Sequence, residues 1–258
     1  MNYIQVIILS FIEGISEFLP ISSTGHLILT SSLLGIEQTE FQKTFEIVIQ
    51  MGAICAVILL YWKTLLYDST IWKKIIIAFL PTGIVGLILY RIIKQYLLGN
   101  PWITIVSLFI GGIILIGIEK ANFGKITKIK SLGTLSYKQA FLIGLSQTIS
   151  MIPGTSRAAA TIIGGLLVGL NRPQSVEFSF LLAIPTMFAA TALDLLKTGF
   201  SFTSHEFLLL GMGLLGSFIT AYFSVKYFLR FVQLHTLIPF GVYRIVLSLL
   251  FTFFLLNV

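Results

Sequence analysis

The chain has 258 residues, of which 56% are hydrophobic and only 10% charged. Soluble domains carry about 25% charged residues, so the composition excludes an ordinary soluble domain and indicates an integral membrane protein. The formal net charge of +7 does not call for a nucleic-acid partner, because the basic residues fall in short loops between apolar runs.

Apolar segments fall at about 3–19, 21–34, 45–61, 75–90 and 102–118, and again at about 138–150, 155–170, 176–196, 206–229 and 237–257. The N-terminus MNYIQVIILSFIEG has no basic leader or small-residue cleavage site and is not expected to be a cleaved signal. The first two segments of each set are short, polar and broken by proline. A full span needs roughly 20 apolar residues, so these read as half-helices or re-entrant hairpins. Cys55 cannot pair within the chain and is expected to be a buried structural thiol. No soluble domain is left over, and the whole of 1–258 reads as one membrane domain.

The two sets resemble copies of one plan, repeat 1 over about 1–120 and repeat 2 over about 136–258. Gly14-Ile15-Ser16-Glu17 matches Gly144-Leu145-Ser146-Gln147 at an offset of 130, and Pro20-Ile21-Ser22-Ser23 matches Pro153-Gly154-Thr155-Ser156 at 133. Phe45 and Phe178 also match at 133, and the pair Gly83/Gly86 matches Gly213/Gly216 at 130. Both glycine pairs are expected to be helix-packing contacts. Five segments, or a hairpin plus three spans, is an odd number, so the second half enters the membrane the other way up. The expected fold is all-α and polytopic, with two inverted five-segment halves meeting near the midplane.

Loop charges orient it. Lys63, Lys73, Lys74, Lys120, Lys125, Lys128, Lys130, Lys138, Arg172, Lys226 and Arg230 collect on one side, and only Lys43, Arg91, Lys94 and Lys197 on the other. The first side is expected in the cytoplasm, with both termini outside.

Four ionisable residues stand where lipid-embedded chain is expected: Glu13, Glu17, His26 and Arg157. Each costs at least ~2.5 kcal/mol to insert, which marks function; the bland alternative is a buried pair such as Glu17 with Arg157. Glu13 and Glu17 share a helix face, so they need a common proton, a divalent cation or an arginine. Their counterparts Ile143 and Gln147 are not acidic. After Pro20, Ser22 reads as the cap of a fresh helix whose N-terminus suits an anion. Ser23 and His26, at i, i+3, are spaced for proton exchange between hydroxyl and imidazole. In MIPGTSRAAATIIGGLL a second proline precedes Thr155 and Ser156, and Arg157 takes the place of the histidine. Its forked guanidinium suits phosphate oxygens. Together the two starts suit a pyrophosphate.

Other polar residues read more simply. Glu46 and Glu177 are expected at helix starts, Gln50 is either interhelical glue or a substrate contact, and His205 and His235 are expected to be structural. No metal-binding Cys/His spacing, P-loop or dinucleotide fingerprint is present.

The stretches EGISEFLPISSTGHLIL and PGTSRAAATIIGGLL resemble the bacterial undecaprenyl-diphosphatase family of the bacitracin-resistance type. FEIVIQMGAICAVILLY, FSFLLAIPTMFAATALDLL and FGVYRIVLSLL extend the resemblance over about residues 3–255. It implies hydrolysis of undecaprenyl diphosphate to the carrier monophosphate that serves peptidoglycan synthesis. It carries the family's acidic motif to Glu13 and Glu17, its serine-histidine motif to Ser22, Ser23, Thr24 and His26, and its phosphate-binding arginine to Arg157. It also implies a site opening to the outer face of the bacterial cytoplasmic membrane. Ala158-Ala159 depart from the usual Ser-Gly after that arginine.

The combined expectation is a phosphoanhydride hydrolase. Ser23 attacks phosphorus, Glu17 or His26 takes its proton, and Arg157, Ser22, Thr24, Thr155 and Ser156 bind phosphate; direct water attack is the other route. Glu13 and Glu17 would hold a divalent cation, Mg2+ or Ca2+, or Glu13 would tune Glu17; no organic cofactor is expected. The partners are a polyprenyl diphosphate lipid and the bilayer, with no nucleic acid, and a homodimer is compatible with them. The competing class is a transporter or flippase of a polyprenyl phosphate lipid.

Overall fold

The structure, a computed structural model, describes residues 1–37, 39–92, 97, 101–123, 129, 131–198 and 202–256, without the side chains of 90–92, 197 and 198. Lys94, Lys125, Lys128 and Lys130, and the side chains of Arg91 and Lys197, therefore lie outside the described part of the loop-charge pattern.

The described residues form ten α-helices and no strand. These are α1 (Tyr3–Ser16), α2 (Ser23–Leu33), α3 (Glu40–Tyr67), α4 (Ser69–Ile92) and α5 (Pro101–Lys120), then α6 (Tyr137–Gln147), α7 (Arg157–Val168), α8 (Arg172–Thr198), α9 (Ser204–Leu234) and α10 (Ile238–Leu256). Short 3-10 turns cover Leu132–Thr134 and Thr148–Met151. Six helices, α3, α4, α5, α8, α9 and α10, are long and apolar enough to cross a membrane. The remaining four have 14, 11, 11 and 12 residues, too short for a full span. The chain is a multi-pass membrane protein, and a short hairpin plus three spans recurs in each half.

Contacts cross between the halves. α1 packs along α9 and α6 along α4, while α3 meets α8 and α9, and α5 lies against α10. Two glycines permit the first two crossings. A Cβ on Gly14 would collide with Thr220 and the Ser217 carbonyl, and one on Gly144 with the Ala78 carbonyl. Gly213 and Gly216 are likewise packing contacts, against Phe45, Ile49 and Ser10. Gly83 faces only the Phe79 ring of its own helix and Gly86 only Met151, so the earlier pair does not repeat that role. The largest core cluster centres on Phe18, Phe178, Phe180 and Phe228.

Polar knots tie four helix junctions together at one end. Asp68 ends α3 and caps α4, its Oδ1 accepting from the Thr70 amide and hydroxyl and the Ile71 amide. The Thr70 hydroxyl, followed by those amides, holds its carboxyl below the usual carboxylate range, so this cap weakens only as pH falls through that depressed value. Lys74 donates from Nζ to the carbonyls of Leu132 (3.0 Å) and Gly133. Glu119 at the end of α5 accepts Arg172 Nε at 2.8 and 2.9 Å, Arg172 Nη2 at 2.6 Å and the Leu237 amide at 3.0 Å. The α3–α4, α5–α6, α7–α8 and α9–α10 junctions are thus bonded to one another.

Three expectations change. Cys55 is exposed on α3 rather than buried: an apolar thiol facing lipid loses nothing there. Glu46 and Glu177 are not at helix starts, because α3 and α8 begin several residues earlier, at Glu40 and Arg172. Glu46 instead accepts from Gln42 at 2.9 Å and Ser31 at 3.2 Å, bridging α3 and α2. His235 stacks on Phe231 and His205 meets Tyr3 edge-on, both structural contacts.

Glu119→Ala strands the Arg172 guanidinium and the Leu237 amide together. It is expected to destabilise the fold by about 3 kcal/mol, read as a lower thermal unfolding midpoint in detergent.

Candidate active site

Two helix starts build the site. α1 ends at Ser16, the chain turns through Glu17–Ile21, and Ser22 caps α2 with φ 72° and ψ 90°. After α6 the chain turns through Pro153-Gly154, and Ser156 caps α7 with φ 71° and ψ 116°. Non-glycine residues reach this region only where surroundings enforce it. Each cap hydroxyl accepts an amide of the first turn, Gly25 N at 3.4 Å and Ala159 N at 3.2 Å. Ser22 and Ser156 are therefore capping residues, and both also line the cavity.

The caps of the two short-helix pairs match at a spacing that differs from the sequence offsets. Ser22 and Ser156 stand 134 residues apart, as do Asn2 and Ser136, which open α1 and α6 with capping boxes to Gln5 and Gln139. Offsets of 130 and 133 followed matches among glycine, serine and proline, which recur too often in membrane helices to fix a register. In the cap register Glu13 corresponds to Gln147, and Arg157 corresponds to Ser23 rather than to His26. Ser23 and Arg157 are each the first residue of a helix.

These two residues meet on Glu17. Ser23 Oγ donates to Glu17 Oε2 at 2.5 Å, and Arg157 Nη2 donates to Glu17 Oε1 at 2.9 Å. Arg157 Nη1 donates to the Ser179 carbonyl at 2.9 Å, and its guanidinium lies 5.6 Å from the Phe18 ring centroid. Its Nε is buried without a protein partner, a spare donor for an anion. The buried pair anticipated as the bland reading is thus present, but it also holds the serine hydroxyl. A cavity of about 230 Å³ opens beside it. Thr24, Gln50, Thr186 and Met187 share the wall with Glu17, Ser22, Ser23, Ser156 and Arg157.

Other expected residues sit elsewhere. His26 does not face Ser23: Nδ1 lies 2.7 Å from the Ser22 carbonyl and Nε2 2.6 Å from the Tyr243 hydroxyl, with the two rings stacked. A carbonyl only accepts, so Nδ1 carries the proton and Nε2 accepts from Tyr243. Thr155 is not on the cavity wall; its carbonyl accepts from Arg244 at 2.9 Å. Glu13 is fully buried one turn before Glu17, off the wall, with neither carboxylate oxygen bonded within the protein.

A sequence model described as "Bacitracin resistance protein BacA" matches residues 6–250. A protein named undecaprenyl-diphosphatase from Aquifex aeolicus is 53% identical over 98% of both chains. One of the same name from Persephonella marina is 48% identical, covering 99% of this chain and all of its own. A Campylobacter jejuni relative, also so named, is 47% identical over 97% of this chain and 94% of its own. The chain belongs to the BacA family.

In this BacA chain several residues of the site were not singled out in the sequence. Ser179, which bonds Arg157, and Thr186, on the cavity wall, come from α8, while Tyr243 and Arg244 of α10 stand off the wall and bond His26 and the Thr155 carbonyl. Arg244 was findable, since it is an intramembrane charge in an apolar run, a fifth beside the four recognised. Tyr243 and Ser179 carry no sequence signal of their own.

Lysine at 157 keeps the charge but cannot span both the Ser179 carbonyl and Glu17. Arg157→Lys is expected to weaken binding of a non-hydrolysable diphosphonate roughly 10- to 100-fold, measured by calorimetric titration in detergent.

Proposed function

We propose that the protein hydrolyses undecaprenyl diphosphate to undecaprenyl phosphate and inorganic phosphate, recycling the carrier lipid for peptidoglycan synthesis and thereby resisting bacitracin. The single observation that carries the mechanism is the 2.5 Å contact from Ser23 Oγ to Glu17, within one cavity with Arg157. A lipid carrier needs anion donors but no hydroxyl set against a base, so transport is the less favoured reading.

In the proposed reaction Ser23 Oγ attacks the terminal phosphorus and its proton passes to Glu17. The bond from phosphorus to the bridging oxygen breaks, and undecaprenyl monophosphate leaves with the proton that Glu17 hands to its oxygen, which frees the carboxylate for the second half. Water then attacks the phosphoserine, Glu17 takes its proton, and phosphate departs as Ser23 regains a hydrogen. Arg157 and the amides at the starts of α2 and α7 stabilise the charge that spreads over the phosphoryl oxygens. His26, held by Tyr243 and the Ser22 carbonyl, keeps the first turn of α2 in place.

A divalent cation fits beside this set. Glu13 supplies two buried oxygens with no protein partner, although no cluster of three His, Cys, Asp or Glu occurs among the described residues. Mg2+ is commonly held by one or two carboxylates together with substrate phosphates, and Glu13 with Glu17 would hold it here. When bound it would offset phosphate charge.

The proposed location is the bacterial cytoplasmic membrane. The bonded junctions carry Lys74 and Arg172, with Lys63, Lys73, Lys120 and Lys138 nearby in sequence, which supports a cytoplasmic position for that end. Both termini then lie outside, and a cavity opening to that outer face is what the family resemblance implies. The two halves are read as inverted copies on their matching caps and exchanged contacts.

Detergent-purified protein given the lipid diphosphate is expected to release phosphate, and Ser23→Ala to lose this by about a thousandfold or more. Acid-quenched native protein should carry one phosphoryl group on the Ser23 peptide by mass spectrometry. Turnover near native levels in Ser23→Ala would exclude the nucleophile and leave direct attack by water.

A further inference from the structure

Arg244 has zero exposure and is the one charged residue of α10, an otherwise apolar helix. A buried guanidinium is costly unless all five of its donors are met. Here all five donor directions end on backbone carbonyls. Nε reaches Leu108 (3.3 Å), Nη1 reaches Pro20 (3.3 Å) and Thr155 (2.9 Å), and Nη2 reaches Ser107 (3.1 Å) and Gly154 (2.9 Å). No carboxylate pairs with it among the described residues.

The choice of carbonyls is the informative part. Two belong to α5 and act as a base. The other three belong to the breaks in the two short-helix pairs. Pro20 lies two residues before the cap Ser22, and Gly154 and Thr155 immediately precede the cap Ser156. Pro20 and Thr155 share one nitrogen, so a single planar group fixes how far apart the two breaks stand. Each break leads straight into a residue at positive φ, and then into Ser23 or Arg157. Arg244 itself is absent from the cavity wall.

We infer that Arg244 is a positioning residue for the reaction: it ties the two breaks to one guanidinium and so holds Ser23 and Arg157 in register on Glu17. The inference rests on the site reading given above. Its action passes through the backbone, and its removal therefore acts on turnover rather than on substrate capture. A misplacement of about 1 Å at a reacting group can cost on the order of a hundredfold in rate. Lysine cannot replace it, because a single ammonium with three donors cannot serve five carbonyls arranged around a plane.

The test compares kcat and KM for phosphate release by Arg244→Lys with those of Glu119→Gln, which loosens a buried polar knot that contacts neither break. Both are assayed well below their unfolding midpoints. Arg244→Lys is expected to lose kcat about a hundredfold with KM changed less than about threefold, while Glu119→Gln keeps kcat within about threefold of native. Should Arg244→Lys not fold, Gly111→Ala decides by the same split. Its new methyl would press on Nη2 and Cζ of Arg244 without removing them, for an expected tenfold or greater loss of kcat. Native kcat in a folded Arg244→Lys, or in Gly111→Ala where that variant decides, overturns the inference, as does a loss matched by Glu119→Gln. Ser23→Ala and Arg157→Lys, assayed alongside, report on the site itself, so a failure of the site reading shows in those two whatever Arg244 does.

Discussion

Every peptide group left unpaired inside an apolar body costs several kcal/mol, and this chain interrupts two helices where such groups are hardest to satisfy. Side chains placed at the interruptions meet several of the released groups. Ser22 and Ser156 take amides at the new helix starts, and Arg244 takes carbonyls just before them. The rest of the site depends on that settlement. Glu17 lies in the first interruption, Ser23 and Arg157 just after the two caps, and the cavity lies between. Donors that point toward an anion are what remains when the helices have been broken and repaired.

The Glu17–Arg157 pair adds little certain stability, since taking both charges out of water offsets much of their attraction. Its value lies in readiness. With Arg157 bonded to Glu17 and to the Ser179 carbonyl, the guanidinium is fixed before any substrate arrives, and Nε remains to be shared. Thr161 bonds the Ser179 hydroxyl at 2.6 Å and so steadies the α8 side of that arrangement. In the proposed reaction a diphosphate entering the cavity would meet donors that need little rearrangement.

Most of the architecture was legible in the sequence because hydrophobic runs and proline breaks report directly on lipid. All ten segments were placed, and the four short ones were recognised by their proline breaks and polar residues together with their length. Glu17, Ser23 and Arg157 were legible because charge and hydroxyls in an apolar run are expensive. The pairing within the site was less so. Spacing i, i+3 places Ser23 and His26 on neighbouring positions of α2, yet the imidazole turns to Tyr243, more than 200 residues away, which no local pattern encodes. The cap spacing of 134 differs from the offsets of 130 and 133 for a similar reason. Glycine and serine identities are abundant, whereas cap geometry, which fixes it, depends on backbone angles. Arg244 was overlooked although its cost was visible, because its partners are carbonyls and carry no side-chain signature.

The two caps have nearly the same backbone, φ 72° and 71°, and differ in the residue after each, Ser23 in one half and Arg157 in the other. In the proposed reaction the nucleophile and the phosphate-binding cation are thus divided between these two positions. Such a frame can change its chemistry by one side chain on either half, because the costly part, a stable broken helix in lipid, is common to both. Specialisation here is a matter of occupancy rather than of architecture.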